Sequence, residues 1–156
     1  MNQSATPPPA DKDLQSWLAS AGFPPNDINA AGQHGLTPLM KACRAGDAAK
    51  VSALLQHGAS LDIKNADGNN ALWLACVGAD LEVIAMLIEA GIDIDNQNDN
   101  GATCLMYAAS AGKDAVVKTL LTAGANRDLQ SLDDYTALDM AATLDCLRLL
   151  RRTATA

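Results

Sequence analysis

Three stretches of this chain share one pattern: GLTPLMKACRAGD at residues 35–47, GNNALWLACVGAD at 68–80 and GATCLMYAASAGK at 101–113. Their first residues, Gly35, Gly68 and Gly101, are spaced 33 residues apart. The same step separates a second set of glycines, a set of leucines and a set of alanines. A period kept by several residue types over most of a chain predicts a stack of similar units, each packed on the next.

Each unit carries the signals of two short helices. Thr37 can cap the start of the first, and Pro38 fits its first turn, where a missing N–H costs nothing. Gly46 ends that helix, and Asp47 is placed to start the second. Residues 59–70 are rich in Asp, Asn and Gly, which suits an extended turn into the next unit.

The three runs resemble the ankyrin repeat pattern G-x-T-P-L-H-x-A-A-x-x-G. The endings LLQHGASLD (54–62), LIEAGIDID (87–95) and LLTAGANRD (120–128) resemble its L-L-x-x-G-A-D-V-N. The resemblance covers residues 27–150. It implies an all-α solenoid in which helix–turn–helix units are joined by protruding β-hairpin loops.

The second unit departs most from this pattern. Asn70 and Ala71 stand where Thr and Pro are usual, and Ala79 stands where Gly is usual. We expect these changes to weaken the local signals that start and stop the first helix of that unit. The histidine that usually follows the leucine is also replaced in all four units, by Met40, Trp73, Met106 and Asp139.

The expected organisation is a single domain, residues 13–152, between flexible tails at 1–12 (proline-rich) and 153–156. It contains three full repeats, 32–64, 65–97 and 98–130. A partial repeat at 13–31 and a shortened one at 131–152 act as caps. In the last cap, the predicted apolar face is formed by Leu147, Leu149 and Leu150.

Composition excludes several classes of protein. A net charge of −7 argues against binding nucleic acid, and no apolar run is long enough to span a membrane. No secretory signal is recognisable at the N-terminus. The four cysteines show no CxxC spacing and lie in apolar patterns, as expected for buried thiols in a reducing compartment. We therefore expect a cytoplasmic protein that is a monomer when free.

Catalytic and metal-binding chemistry finds little support in the sequence. The only histidines, His34 and His57, occupy different positions of the unit, so neither is placed to activate a cysteine. Residues 96–101 (NQNDNG) resemble the start of a calcium loop, but the twelfth position, which needs a bidentate Glu, is Tyr107. We expect no catalytic residue, no metal site and no cofactor.

The predicted function is binding of a protein partner by an adaptor or regulator, such as an inhibitor or an assembly aid. The resemblance implies a concave groove formed by the hairpin tips and the exposed faces of the first helices. The predicted contact residues are those that the resemblance places on this groove: Leu36, Lys41, Arg44, Asp67, Asn69, Trp73, Leu74, Val77, Asp99, Asn100, Tyr107 and Ser110.

Two questions stay open at this level. Trp73 is either an anchor for the partner, as aromatic residues at interfaces often are, or a filler for the space of the missing histidine. The loops at 58–71, 91–104 and 124–137 hold eight acidic residues against two basic ones. They either steer a basic partner or simply form soluble turns. The alternative functions are a ligand or metal carrier acting through these hairpins, or an enzyme with an unrecognised site.

Overall fold

A computed structural model describes residues 12–151. Within that range the chain forms nine α-helices and no strand. The helices are α1 (Lys12–Ser20), α2 (Pro38–Ala45), α3 (Ala48–Gln56), α4 (Ala71–Gly78), α5 (Leu81–Glu89), α6 (Cys104–Ser110), α7 (Asp114–Thr122), α8 (Ala137–Met140) and α9 (Leu144–Leu150). Lys12, expected in the N-terminal tail, is the first residue of α1; the rest of that tail, the tail at 153–156 and Arg152 lie outside the described residues.

The helices form two parallel layers. Helices α2, α4, α6 and α8 pack side by side in one layer, and α1, α3, α5, α7 and α9 pack in the other. Each first helix also packs on the second helix of its own unit. The core lies between the layers and repeats with the sequence, so that Leu39, Leu72 and Leu105 are at most 1% exposed. The predicted all-α repeat stack is confirmed.

Helix starts and stops follow local side-chain chemistry, including in the irregular second unit. The Thr37 hydroxyl accepts from the Met40 N–H at 3.3 Å. In the second unit, Asn70 takes the place of the threonine as the N-terminal cap of α4, because its Oδ1 accepts from the Leu72 N–H at 3.1 Å. Its Nδ2 also donates to the Asp93 carbonyl at 3.0 Å. Ala79 stops α4 in the left-handed conformation, with φ of 58°, that Gly46 adopts at the end of α2.

The loops between units close as hairpins, and in each a backbone hydrogen bond joins the first residue of the tip to the residue four positions later. The closing pairs are Gly32 N–H to Leu36 O, Asn65 N–H to Asn69 O, Asn98 N–H to Ala102 O and Ser131 N–H to Tyr135 O, at 2.7–2.9 Å. Within residues 12–151 none of them extends into a ladder that makes a strand. The predicted β-hairpins are therefore hairpin-shaped turns.

Neighbouring tips are joined to one another by a second set of backbone bonds. Ala66 N–H donates to His34 O, Asp99 N–H to Asp67 O and Leu132 N–H to Asn100 O, each at 3.0 Å. The periodic tip glycines are required by this contact. A β-carbon on Gly35 would lie 2.9 Å from the Ala66 nitrogen, and the φ of Gly35 is +75°.

The C-terminal cap differs from its predicted form. Cys146 and Leu150 are the buried residues of α9, at 0% and 2% exposure, whereas Leu147 and Leu149 are only half-buried. Cys146 and Leu150 are four residues apart and so lie on one side of the helix. The predicted apolar face therefore holds for Leu150 and for Leu149, which packs against the core, and is wrong for Leu147.

All four cysteines are free and buried, as their apolar surroundings predicted. None of the helices in the described part of the chain has the length and apolar character needed to cross a membrane.

Candidate functional site

The first helices present equivalent positions to one face of the stack. Lys41, Leu74 and Tyr107 form one row along this face, and Arg44, Val77 and Ser110 form a second. The rows arise because α2, α4 and α6 pack side by side with the same 33-residue step. Together with the hairpin tips, these two rows make up what we call the groove face.

An aromatic pair joins two neighbouring repeats at this face. The rings of Trp73 and Tyr107 have centroids 5.0 Å apart and planes inclined at 41°. Tilted pairs at this distance stabilise a fold by about 0.5–1.5 kcal/mol beyond the area they bury. Both rings are half-buried, so the pair packs between repeats and still offers part of its surface to solvent.

Trp73 differs from its counterparts in the neighbouring repeats. Met40 and Met106 occupy the equivalent position and are each 1% exposed. The larger indole of Trp73 reaches the surface and rests on the ring of Tyr107. Trp73 therefore packs against the neighbouring repeat and is also accessible to a partner, although the sequence suggested that only one of these would be true.

The Tyr107 phenol is held in its neutral form. Burial, and secondarily the nearby Cys76 thiol, raise the pKa of Tyr107 above its ordinary value. A neutral phenol can donate as well as accept a hydrogen bond. Next to it, the Ser110 hydroxyl donates to the Tyr107 carbonyl at 2.9 Å.

Two of the predicted contact residues are not accessible. Asn69 is 4% exposed, and its Oδ1 accepts from the Asn98 Nδ2 at 3.0 Å. Leu74 is 5% exposed, because it lies between the first helices of the flanking repeats. Such burial leaves little of either side chain for a partner to contact: Asn69 ties two hairpins together, and Leu74 supports the floor of the groove face.

The other ten predicted residues reach the surface to different degrees. Leu36 and Lys41 are half-buried, like the two aromatic residues. Six are exposed: Arg44, Asp67, Val77, Asp99, Asn100 and Ser110. Several of these also serve the fold, since the backbone of Asp99 and Asn100 carries the bonds between tips.

A recess of about 390 Å³ lies at the N-terminal end of the groove face. It is formed by the turn after α1, the first hairpin tip and α2. The Lys41 Nζ lies 5.7 Å from the centroid of the Phe23 ring and donates to the Ala21 carbonyl at 3.4 Å. Sequence reasoning missed the part played by Phe23, which the sequence marks only as one of five aromatic residues.

A larger recess, of about 510 Å³, lies between the second helices α5 and α7. Its charged lining residues are Glu89 and Lys118, one of each sign, and most of its surface is apolar. None of the predicted contact residues lines it.

In the segment that resembles a calcium loop, two asparagine side chains are already used in hydrogen bonds to the backbone of this turn and of the preceding hairpin. The Asn98 Oδ1 accepts from the N–H groups of Asn100 and Ala102 at 2.9 and 3.0 Å. The Asn96 Nδ2 donates to the Gly68 carbonyl at 3.0 Å. Within residues 12–151, no group of three His, Cys, Asp or Glu side chains is placed to hold a metal ion.

Three of the buried thiols, those of Cys43, Cys104 and Cys146, have pKa values above the ordinary value for a cysteine. Burial, followed by the neighbouring Cys76, raises the pKa of Cys43 to about 12. A hydrogen bond with Cys76 and burial raise the pKa of Cys104, and burial raises that of Cys146. Since the thiolate is the nucleophilic form, these three cysteines are poorly suited to attack a substrate.

The sequence matches two family models. A model for ankyrin repeats in three copies matches residues 10–98, and a second, for ankyrin repeats in many copies, matches residues 87–151. Ankyrin repeats are generally modules for protein–protein interaction and are typically non-catalytic.

Proposed function

This chain belongs to the ankyrin repeat family, and we propose that it is a non-catalytic adaptor or regulator that binds a protein partner on its groove face. The observation that carries the proposal is the Trp73–Tyr107 pair, whose rings pack together and remain half-exposed on that face. Aromatic side chains fixed by packing make good binding anchors, because little side-chain entropy is lost when they are covered.

The rest of the groove face fits this role. Val77 is 36% exposed and adds apolar surface one helical turn from Trp73, while Arg44 and Ser110 offer polar contacts. The exposed carboxylates of Asp67 and Asp99 form a polar rim at the tips. An apolar centre inside a polar rim is the usual composition of an interface between proteins.

We favour a regulatory role, in which the chain acts as an inhibitor or an assembly aid by binding its partner on this face. Catalysis is not part of the proposal, since the buried thiols with raised pKa values are poor nucleophiles. The free thiols support a place in the cytoplasm, and a stack with a cap at each end supports a monomer when no partner is bound.

The proposal is tested by quantitative affinity capture from native cell extract. The wild-type chain is compared with the Trp73→Ala/Tyr107→Ala double variant, and we expect the variant to capture its partner at least about tenfold less well, as for hot-spot residues. Thermal unfolding of the variant must first show that it is folded at the capture temperature.

A matched control changes apolar residues on the other layer. The Ile88→Ala/Leu121→Ala variant truncates two half-buried side chains of α5 and α7 and should capture the partner as the wild type does. Equal capture by the wild type and the folded Trp73/Tyr107 variant would remove the groove face as the binding site. Loss of capture in the control variant alone would transfer the site to the second helices.

A further inference from the structure

The recess at the N-terminal end of the groove face has an unusual charge for this protein. Its lining includes His34, Lys41 and Arg44 and no acidic residue. The chain as a whole carries a net charge of −7. A basic recess on an acidic protein creates a local positive electrostatic potential, which attracts negatively charged ligands to this point of the surface.

The two cations of the recess are not neutralised within the described chain. Among residues 12–151, neither Lys41 nor Arg44 lies within ion-pair distance of a carboxylate. Lys41 is also held in place, since its Nζ donates to the Ala21 carbonyl and faces the Phe23 ring. An ammonium group fixed in this way keeps donors free for a ligand and loses little entropy on binding.

The character of the face changes steadily along the stack. The row that begins with Lys41 continues with Leu74 and Tyr107, and the row that begins with Arg44 continues with Val77 and Ser110. The face is therefore basic beside the first cap and becomes apolar and aromatic over the next two repeats.

The charge of the hairpin tips changes in the same sense, because the tips become more acidic away from the first cap. The first tip carries Gln33 and His34, whereas the second and third carry the exposed carboxylates of Asp67 and Asp99. A negatively charged group is thus attracted to the N-terminal end and repelled from the other tips. This arrangement favours one position and one direction for a ligand that carries negative charge.

We propose that the groove face binds an extended segment of the partner that has a carboxylate side chain, Asp or Glu, in the recess between Lys41 and Arg44, and a large apolar side chain against Trp73 and Tyr107. This inference rests on the proposed function, because it names the chemistry of the segment that the same face would bind.

The dimensions of the stack set the spacing of the two anchors. Packed helices lie about 8–10 Å apart, so the Trp73–Tyr107 pair, which lies between the second and third repeats, is about one and a half spacings from the first, or about 12–15 Å. An extended chain rises about 3.3 Å per residue, which places the acidic and the apolar residue about four or five residues apart. Phe23 and Leu36, which also line the recess, fit the methylene groups that carry the carboxylate.

The test is a selection of random 14-residue peptides displayed on phage against the immobilised full chain. We expect the selected peptides to be enriched in Asp or Glu about four or five residues from a large apolar residue. Selected peptides are then synthesised with a fluorophore, and their affinities are measured by fluorescence polarisation at two salt concentrations.

Lys41→Glu/Arg44→Glu should weaken binding of these peptides by at least about fivefold, with a smaller loss at high salt. The control Lys118→Glu/Arg148→Glu makes the same change of net charge on the second helices and should bind them as the wild type does. Circular dichroism shows whether each variant is folded.

The outcomes separate this inference from the proposed function. Peptides without acidic enrichment that still depend on Trp73 and Tyr107 would overturn the recess and keep the groove face. Peptides insensitive to both pairs of substitutions would overturn both, and a selection that yields no peptide would count against an extended acidic segment. Binding of inorganic phosphate in calorimetry, abolished by Lys41→Glu/Arg44→Glu while acidic peptides fail to bind, would identify a small-anion site instead.

Discussion

The second repeat ends its first helix with Gly78-Ala79, whereas the first and third end theirs with Ala45-Gly46 and Ala111-Gly112. The order of the two residues is reversed, yet the backbone takes the same path. Ala79 has a φ of 58°, close to the 69° of Gly46 and the 70° of Gly112. The conformation is thus kept even where the residue that favours it is missing.

The reversal has a cause in packing. A β-carbon on Gly78 would lie 2.5 Å from the Arg44 carbonyl oxygen and 3.0 Å from that of Cys43, since the end of α2 approaches α4 closely there. Two demands for glycine, close approach and a positive φ, fall on adjacent positions. In the second repeat Gly78 allows the close packing contact, and Ala79 adopts the left-handed conformation, which costs some backbone strain.

The largest effect that this comparison predicts is on Gly78→Ala. In an open helix the change would stabilise by up to about 1 kcal/mol, but overpacking against a backbone costs about 1–3 kcal/mol. We expect a net loss of about 1–2 kcal/mol in the free energy of unfolding, measured by urea denaturation. A Gly78→Ala chain as stable as the wild type would show that the contact between α2 and α4 does not require glycine.

Ala79→Gly tests the second demand and should have a smaller effect of the opposite sign. Relief of the left-handed strain outweighs the entropy lost by glycine, so we expect a gain of about 0.5–1 kcal/mol in the free energy of unfolding. The mirror change Gly46→Ala should lose about 1 kcal/mol for the same reason. A β-carbon on Gly46 would meet Asp80 only at 3.4 Å, an ordinary contact, so conformation decides its effect. If both variants shift stability in the same direction, the strain account fails.

The sequence predicted what depends on local chemistry. The 33-residue step gave the stack, and Thr37, Gly46 and Asp47 gave the helix ends, because capping and a positive φ act within a few residues. The tip glycines were visible as a period, although the contact of each with the next tip was not.

Features set by contacts between distant residues were missed. Burial of Asn69 depends on Asn98 in the next hairpin, and the recess depends on how Phe23 folds back beside Lys41. Leu74 is buried although Lys41 and Tyr107, at the same position of the unit, are half-exposed. A pattern of repeats assigns equivalent positions, and differences among those positions arise from neighbours that the pattern does not specify.

The smallest predicted effect concerns the start of the second helix in the third repeat. In the first two repeats Asp47 and Asp80 cap that helix, whereas Lys113 stands at this position in the third and makes no side-chain cap. The next residue, Asp114, instead accepts hydrogen bonds from the Thr143 hydroxyl at 2.9 Å and the Cys146 thiol at 3.1 Å. In the first two repeats the aspartate caps a helix of its own repeat, whereas in the third Asp114 binds the last repeat instead.

This difference predicts a dependence of stability on pH. The hydrogen bonds from Cys146 and Thr143 lower the pKa of Asp114 below its ordinary value of 3.8. A group whose pKa is lowered by folding stabilises the fold above its unfolded pKa, and this contribution is lost as the pH falls through the folded one. The wild type should therefore be more stable than Asp114→Asn near pH 7, with a difference that shrinks as the pH falls below about 4. Urea denaturation of both chains across this range measures it; Thr143→Ser, which retains the hydroxyl donor, should keep the wild-type behaviour. A difference that is constant with pH would mean that the charge of Asp114 does not hold the cap in place.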